Sequence, residues 1–288
     1  MIKKVIIPKM VLTTEASVSE VKIGMEGTGE AKIDWGDGEC EDYPLSLKSR
    51  KRISHQYADS SDSRTITISG VDVSGLSCYG NKLTELNVSE NKKLWSLNCR
   101  KNKLTSLDVN RNIELSKLNC SENKLTRLNA GENPELFYLI CSENQLTNLY
   151  MGKGSYWWYL DCSKNQLANL NIPGTSRFNY LFCQDNKLDT LDVRRHARLK
   201  MLDCSGNRLT DLYLRKNTTL ELLDCSGNQL SVEAMNDLLD DLHENPIEMK
   251  FPPDFAVDLR LACIANNPGT DGCNTTDAVE KGWTIRAN

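Results

Sequence analysis

Histidine is scarce in this chain, and so are the features that mark an enzyme, a membrane protein or a nucleic-acid binder. Of 288 residues only three are histidine, His55, His196 and His243, too few for metal or acid–base chemistry built on clustered imidazoles. No run approaches the roughly 18 to 20 consecutive apolar residues that cross a bilayer, so no membrane span is expected. Met1 to Met10 lacks the apolar core of a signal peptide, so any export signal is expected to be absent from this chain. Basic residues are not in excess: 35 Lys and Arg against 39 Asp and Glu give a net charge of -4, which argues against a polyanion and hence against nucleic acid. The sequence holds no G-x-S-x-G, H-E-x-x-H, P-loop or C-x-x-C. The expectation is a protein without catalytic residues, metal or cofactor. What remains is the composition of a folded, soluble protein, 39% hydrophobic and 26% charged, with a mean hydropathy of -0.47.

Cysteine, by contrast, is abundant and ordered. Of 11 cysteines, eight (Cys78, Cys99, Cys120, Cys141, Cys162, Cys183, Cys204 and Cys225) follow one another at intervals of 21 residues. This is a repeat. Asn81, Asn102, Asn123, Asn144, Asn165, Asn186, Asn207 and Asn228 each stand three residues after a cysteine, and leucines stand two before and five after. One unit reads L-x-x-L-x-C-x-x-N-x-L-T-x-L-x-V-x-x-N-x-x.

That pattern closely resembles the leucine-rich repeat, with cysteine in the place of the third leucine. It covers residues 71–230, eight units in register. Each turn of chain is expected to lay a short strand beside the same strand of the next turn, giving a parallel β-sheet on the concave face of a solenoid with few helices. Alternation then points Leu97 and Cys99 inward and Ser96, Asn98 and Arg100 outward. One unit cannot bury its apolar face alone, so stability comes from stacking neighbours. The eight asparagines form a structural ladder, each amide satisfying backbone groups of a sharp turn. A second asparagine closes the other half-unit at Asn91, Asn112, Asn133 and Asn217, where Gly154, Thr175 and His196 stand in other units. The ladder cysteines are expected to be buried free thiols, because parallel Cβ vectors suit neither a disulfide nor a tetrahedral zinc site.

Before the repeats, residues 1–70 alternate apolar and polar in short runs, Val21 to Met25, Ala31 to Trp35 and Arg64 to Ile68, as strands of a small antiparallel β-sandwich do. Ile33-Asp34-Trp35-Gly36-Asp37-Gly38, with His55-Gln56-Tyr57, resembles the W-G-D-G and H-x-Y pattern of polycystic-kidney-disease-type (PKD-like) domains, which implies a structural module of extracellular proteins. Asp34, Asp37 and Glu39 either hold calcium or form a solvated turn. After Leu230 the register breaks. Ser231 can cap a helix with Val232, Met235, Leu238, Leu239 and Leu242 on one face. Leu261-Ala262-Cys263-Ile264-Ala265-Asn266 restates L-x-C-x-x-N, so Cys263 and Asn266 are expected to add a ninth strand within a helix-containing C-terminal cap over 231–288. The tail through Trp283 to Ile285 resembles the closing segment of bacterial surface leucine-rich repeat proteins that begin with a W-G-D-G module. Cys40 and Cys273 are each a free thiol or half of a bridge.

Function is expected on the outward columns of the concave sheet. Three residues before each cysteine the column reads Gly75, Ser96, Lys117, Tyr138, Tyr159, Tyr180, Met201, Leu222, and one before it reads Ser77, Asn98, Asn119, Ile140, Asp161, Phe182, Asp203, Asp224. Tyr138, Ile140, Tyr159, Tyr180, Phe182 and Met201, with Phe137 and Trp158 beside them, make an apolar cluster of the kind that binds partners. The reading is recognition without catalysis: a protein or peptide partner, host or cell-surface, bound by an exported bacterial surface or periplasmic protein. A glycan stacked on the same rings, or a scaffold without a specific ligand, are the alternatives.

Overall fold

The computed structural model describes residues 7–58, 61–152, 157–174, 178–244 and 260–287. The chain divides into two compact units, Met1–Ser155 and Tyr156–Asn288. Gly154 and Thr175 lie outside the described residues.

In the first unit the alternating runs become strands β1 (Lys9–Thr14), β2 (Glu20–Gly27), β3 (Glu30–Asp34), β4 (Cys40–Pro44), β5 (Lys51–Gln56) and β6 (Thr65–Ser69). Met10 and Leu12 of β1, Val21, Ile23 and Met25 of β2, Ile33 of β3, and Ile66 and Ile68 of β6 are buried, alternate residues as a period of two requires. The repeats begin with β7 (Val73–Ser77) and β8 (Leu83–Asn87), followed by β9 (Ser96–Asn98), β10 (Lys117–Asn119), β11 (Arg127–Ala130), β12 (Tyr138–Ile140) and β13 (Asn148–Met151). Both sheets of the sandwich run on into the first repeat. β1 pairs antiparallel with β8, Leu12 opposite Leu86, and β2 pairs antiparallel with β7, Met25 opposite Leu76. From β7 the pairing is parallel, Leu76, Leu97, Leu118 and Leu139 in one row. The edge that the first coil would expose is thereby covered by β2.

The second unit is a parallel sheet of β14 (Tyr159–Asp161), β15 (Tyr180–Phe182), β16 (Met201–Asp203) and β17 (Leu222–Asp224), extended by β18 (Arg260–Cys263) and β19 (Trp283–Arg286). Helix α1 (Val232–Asp241) starts where Ser231 Oγ accepts the Ala234 N–H, and Met235, Leu238, Leu239 and Leu242 are buried; Val232, expected on the same face, is exposed at the first turn. A short helix α2 (Thr276–Glu280) leads into β19, and the Trp283 indole N–H donates to His243 O.

Asn186 shows how a ladder asparagine spends its whole amide on two successive turns. Asn186 Nδ2 donates to Cys162 O, Cys183 O and Gln184 O, and its Oδ1 accepts the Leu167 N–H. Asn123, Asn144, Asn207 and Asn228 repeat this within 0.3 Å or so in every bond. Asn102 also takes the Asn81 and Leu83 N–H groups, while Asn81 exchanges two bonds with Lys22 of β2. The ladder thus fastens the first repeat to the sandwich. On the opposite side Asn112, Asn133 and Asn217 donate to carbonyls of the preceding turn, and His196, buried in the same column, lies 5.4 Å from the Phe178 ring.

The asparagine also holds a strained bend. The residue two after each cysteine is left-handed: Lys101, Glu122, Glu143, Lys164 and Asp185 at φ 52 to 56, with Gly80, Gly206 and Gly227 in the same column. A non-glycine residue there costs on the order of 1 kcal/mol or more.

The ninth strand is present, but one residue out of the expected register. Asn267, not Asn266, donates to Cys225 O, Ile264 O and Ala265 O, and Ile264 fills the buried cysteine position. Asn266 is the left-handed residue of the bend at φ 57. Cys263 therefore faces outward, opposite Asp224. Asparagine tolerates the left-handed region better than most residues, and isoleucine packs better than cysteine, which decides the register.

All 11 cysteines are free thiols; the eight of the ladder are buried, Cys263 and Cys273 are half-buried and Cys40 is exposed. Burial pushes Cys99 up to about 12 and holds Cys78, Cys120, Cys162, Cys183, Cys204 and Cys225 well above the ordinary thiol range. In the unfolded chain these thiols ionise near pH 8.5 while the folded chain keeps its protons, so stability is full below about pH 8.5 and falls as pH rises above it, by about 1.4 kcal/mol per pH unit for each thiol. Urea midpoints should be equal at pH 7 and 8 and drop steeply by pH 9.5. A midpoint unchanged at pH 9.5 would contradict buried, unpaired thiols.

Asn186→Ala removes one rung and leaves Cys162 O, Cys183 O and the Leu167 N–H without it, at a cost of about 2 to 4 kcal/mol. Asn148 is exposed and, among the described residues, its side chain hydrogen-bonds only to its neighbour Thr147 Oγ1, so Asn148→Ala should cost under about 0.5 kcal/mol. Equal denaturant midpoints for the two variants would sink the assigned roles.

Candidate functional site

Because Leu97, Cys99 and their equivalents fill the interior, the alternate residues of each short strand stand on the other face of the parallel sheet. In the second unit this brings four aromatic rings together. Tyr159 and Tyr180 are register partners with centroids 6.1 Å apart, Phe182 lies 5.5 Å from Tyr159, and Trp158 meets Tyr180 edge to face at 5.2 Å. Edge-to-face and offset pairs of this kind contribute about 0.5 to 1.5 kcal/mol each beyond area burial. The rings are nonetheless open to solvent: Trp158 is 42% exposed, and Tyr159, Tyr180 and Phe182 are half-buried. Met201 continues the tyrosine column beside Tyr180, half-buried.

Tyr138, Ile140 and Phe137 belong to the first unit. Tyr138 and Ile140 are half-buried on β12, opposite Lys117 and Asn119. Lys117 is the feature that sequence reasoning missed there: its ammonium lies 5.1 Å from the Trp95 ring centroid and 5.8 Å from that of Phe137, a cation–π arrangement. Ser96, in the outward column by alternation, is nonetheless buried. Ser96 is 9% exposed, and the ammonium of its register partner Lys117 lies over Trp95. Asn98 is likewise committed, since its Oδ1 accepts the Arg100 N–H.

The acidic turn of the sandwich is used by the chain itself. Asp34 Oδ1 accepts the Gly36 N–H, Asp37 Oδ1 accepts the Glu39 N–H, and Asp37 Oδ2 is 2.7 Å from His55 Nε2. The His55 ring stacks on Trp35 at 4.6 Å, and the Tyr57 hydroxyl donates to Trp35 O. Burial pushes the Asp37 carboxyl up, and His55 with the Glu39 N–H draws it below its ordinary value. An open cleft of about 610 Å³ in the first unit is lined by Lys22, Arg50, Arg52, Ser77, Tyr79 and Asn98 among others, with no carboxylate, imidazole or thiol among its lining residues.

No protein-family model matches the chain, and no curated protein matches it. Solved structures do. The functional domain of InlJ from Listeria monocytogenes, which includes a cysteine ladder, aligns at 24% identity and a TM-score of 0.50, covering 80% of this chain and 56% of that one. The fold is a leucine-rich-repeat β-solenoid. YopM from Yersinia enterocolitica aligns at 26% identity over 61% of this chain and 34% of its own, with a TM-score of 0.45. A leucine-rich-repeat protein of Leptospira interrogans aligns at 20% identity over 72% and 70%, with a TM-score of 0.35. The chain thus spans little more than half of the InlJ domain and a third of YopM. Among the described residues no helix is long and apolar enough to cross a membrane.

Proposed function

We propose that the protein is a non-catalytic recognition module of the bacterial cell surface or periplasm, which binds a protein or peptide through the concave, outward face of its repeats. The observation that carries this reading is the ring cluster of Trp158, Tyr159, Tyr180 and Phe182, four aromatic side chains kept at a water-facing sheet surface. A solenoid has no need of them there: Leu160, Leu181, Cys162 and Cys183 already fill the core on the other face. Large amphipathic rings that remain half-exposed are the side chains that dominate interface energetics. Tyr138 and Ile140 extend the same columns in the sequence, and the sandwich of β1 to β6, PKD-like in its W-G-D-G turn, serves as the N-terminal cap of the repeats and as a spacer.

The reading is tested by screening the intact chain against a panel of surface proteins and a glycan array, then measuring the selected ligand against variants. Tyr159→Ala and Tyr180→Ala should each weaken binding by about 1 to 4 kcal/mol while the chain stays folded, its stability lower only by the ring pairs lost, about 0.5 to 1.5 kcal/mol each. Binding that survives the double variant Tyr159→Ala/Tyr180→Ala overturns the site. Unfolding of the single variants would instead make the rings structural. Selection of a glycan alone would replace the protein partner with a sugar on the same rings.

A further inference from the structure

The second outward column of the same unit carries charge that its structural task does not require. Asp161, Asp203 and Asp224 each cap the bend after their strand: Oδ1 accepts both the backbone N–H and the hydroxyl of the serine two residues on, at 3.1 and 2.6 Å, 3.1 and 2.7 Å, and 3.0 and 2.6 Å. In the first unit Asn119 makes the same two bonds to Ser121 at 3.1 and 2.7 Å. A neutral amide therefore performs the cap equally well. The carboxylates are the costlier choice, because Asp203 and Asp224 are direct register partners on adjacent strands, and like charges opposed across a ladder are destabilising. Burial, with Asp224 and Asp185 nearby, pushes the Asp203 carboxyl above its ordinary value against the pull of the two Ser205 bonds. Among the described residues none of the three carboxylates has an ion-pair partner. The cation next along this row, Arg286, stands beyond Cys263, two strands from Asp224.

The register shows where the compensating cation belongs. Phe182 stands in the carboxylate column between Asp161 and Asp203, and is the register partner of both. Strand spacing puts each carboxylate about 4.8 Å along the sheet from it. A flat cation laid on the Phe182 ring would have carboxylates on two sides and the Tyr159 ring, 5.5 Å from Phe182, on a third. Aromatic faces attract cations placed within about 6 Å of the centroid, and the attraction grows as the site is desolvated. A guanidinium meets all of these demands: it stacks flat and donates in its own plane to oxygens at its edges.

We infer that this surface takes an arginine-bearing, basic peptide segment, with one guanidinium over Phe182 between Asp161 and Asp203 and a further cation at Asp224. The inference rests on the aromatic recognition reading above and adds the charge and chemistry of its ligand. Association with such a peptide relieves the repulsion between Asp203 and Asp224, so binding and stability are linked through the same pair.

Dye-labelled hexa-arginine, about 20 Å when extended, spans the four strands from β14 to β17, and hexa-citrulline is its uncharged counterpart. Fluorescence anisotropy on the intact chain should show hexa-arginine binding at least about tenfold more tightly than hexa-citrulline. Asp203→Asn/Asp224→Asn keeps both caps, as Asn119 does, and should weaken hexa-arginine by about tenfold or more while its urea midpoint stays equal or rises. Asp237→Asn/Asp240→Asn, an equal charge change on the exposed side of α1, should change affinity by less than about twofold. No binding of hexa-arginine, equal binding of hexa-citrulline, or equal loss in the two Asn pairs overturns the inference. Each of those results leaves recognition by the rings standing, since that reading fails only on the tyrosine variants and their own ligand.

Discussion

The side-chain amide of the ladder asparagine is the constraint on which the rest of the structure depends. A 21-residue turn of chain must reverse direction immediately after a strand of three residues, and the bend leaves carbonyls and N–H groups facing the interior, where water cannot reach them. An unpaired buried group of this kind costs about 1 to 3 kcal/mol. Asparagine is the side chain that can answer both kinds of group at once, with two donors and an acceptor on one short stem. Its Nδ2 closes the turn to which it belongs and grips the carbonyl of the turn before, and its Oδ1 takes an N–H of that earlier turn as well. Aspartate would lose the donors, and glutamine would overshoot. The left-handed residue between cysteine and asparagine is held in place by the same bonds, which is how lysine, glutamate and aspartate come to occupy a conformation that glycine occupies in three other turns.

Function follows from what this arrangement frees. Since interior packing is settled by leucine and cysteine and the ladder by asparagine, the first outward column is outside the core and the second is held only to a capping Asn or Asp in most turns, so successive repeats can vary both. In the first unit the capping column is neutral, with Asn98 and Asn119, while in the other column the Lys117 ammonium is drawn onto Trp95 and Phe137. In the second, Tyr159, Tyr180, Met201 and Leu222 form one column and carboxylates most of the other. Rings and carboxylates side by side on one sheet face are what the proposed basic peptide ligand, with its apolar and positively charged parts, would need.

Much of this was legible in the sequence because the repeat counts itself. Eight cysteines at one interval assign every inward and outward position by arithmetic, and Leu76, Leu97, Leu118 and Leu139 stand in one row as that arithmetic requires. What escaped it depends on geometry that a string of letters does not carry. L-x-C-x-x-N at Leu261 to Asn266 reads as a repeat, yet the amide of Asn267 makes the ladder bonds, because the unit between Asn228 and Asn267 is longer and the match of letters falls one residue early. Glycine at 80, 206 and 227 signalled a bend of unusual backbone, but the polar residues in the same column elsewhere concealed it. Ser96 stands in the outward column by alternation and is only 9% exposed. The Asp37–His55 pair beneath Trp35 joins residues 18 apart whose approach is set by the sandwich, not by spacing.

Native-state hydrogen exchange tests the staple most directly. The backbone N–H groups of Leu104, Leu125, Leu188 and Leu209 lie in bends, not in strands, and each donates to the Oδ1 of the next asparagine at 3.0 Å. If the amide ladder holds the turns together, these four protons exchange only through unfolding of the unit that contains them, with protection equal to that of the strand N–H groups of Leu118 and Leu202. Exchange of the four at the rate of exposed loop N–H groups, while Leu118 and Leu202 remain protected, would show that strand pairing and not the asparagine ladder carries the fold.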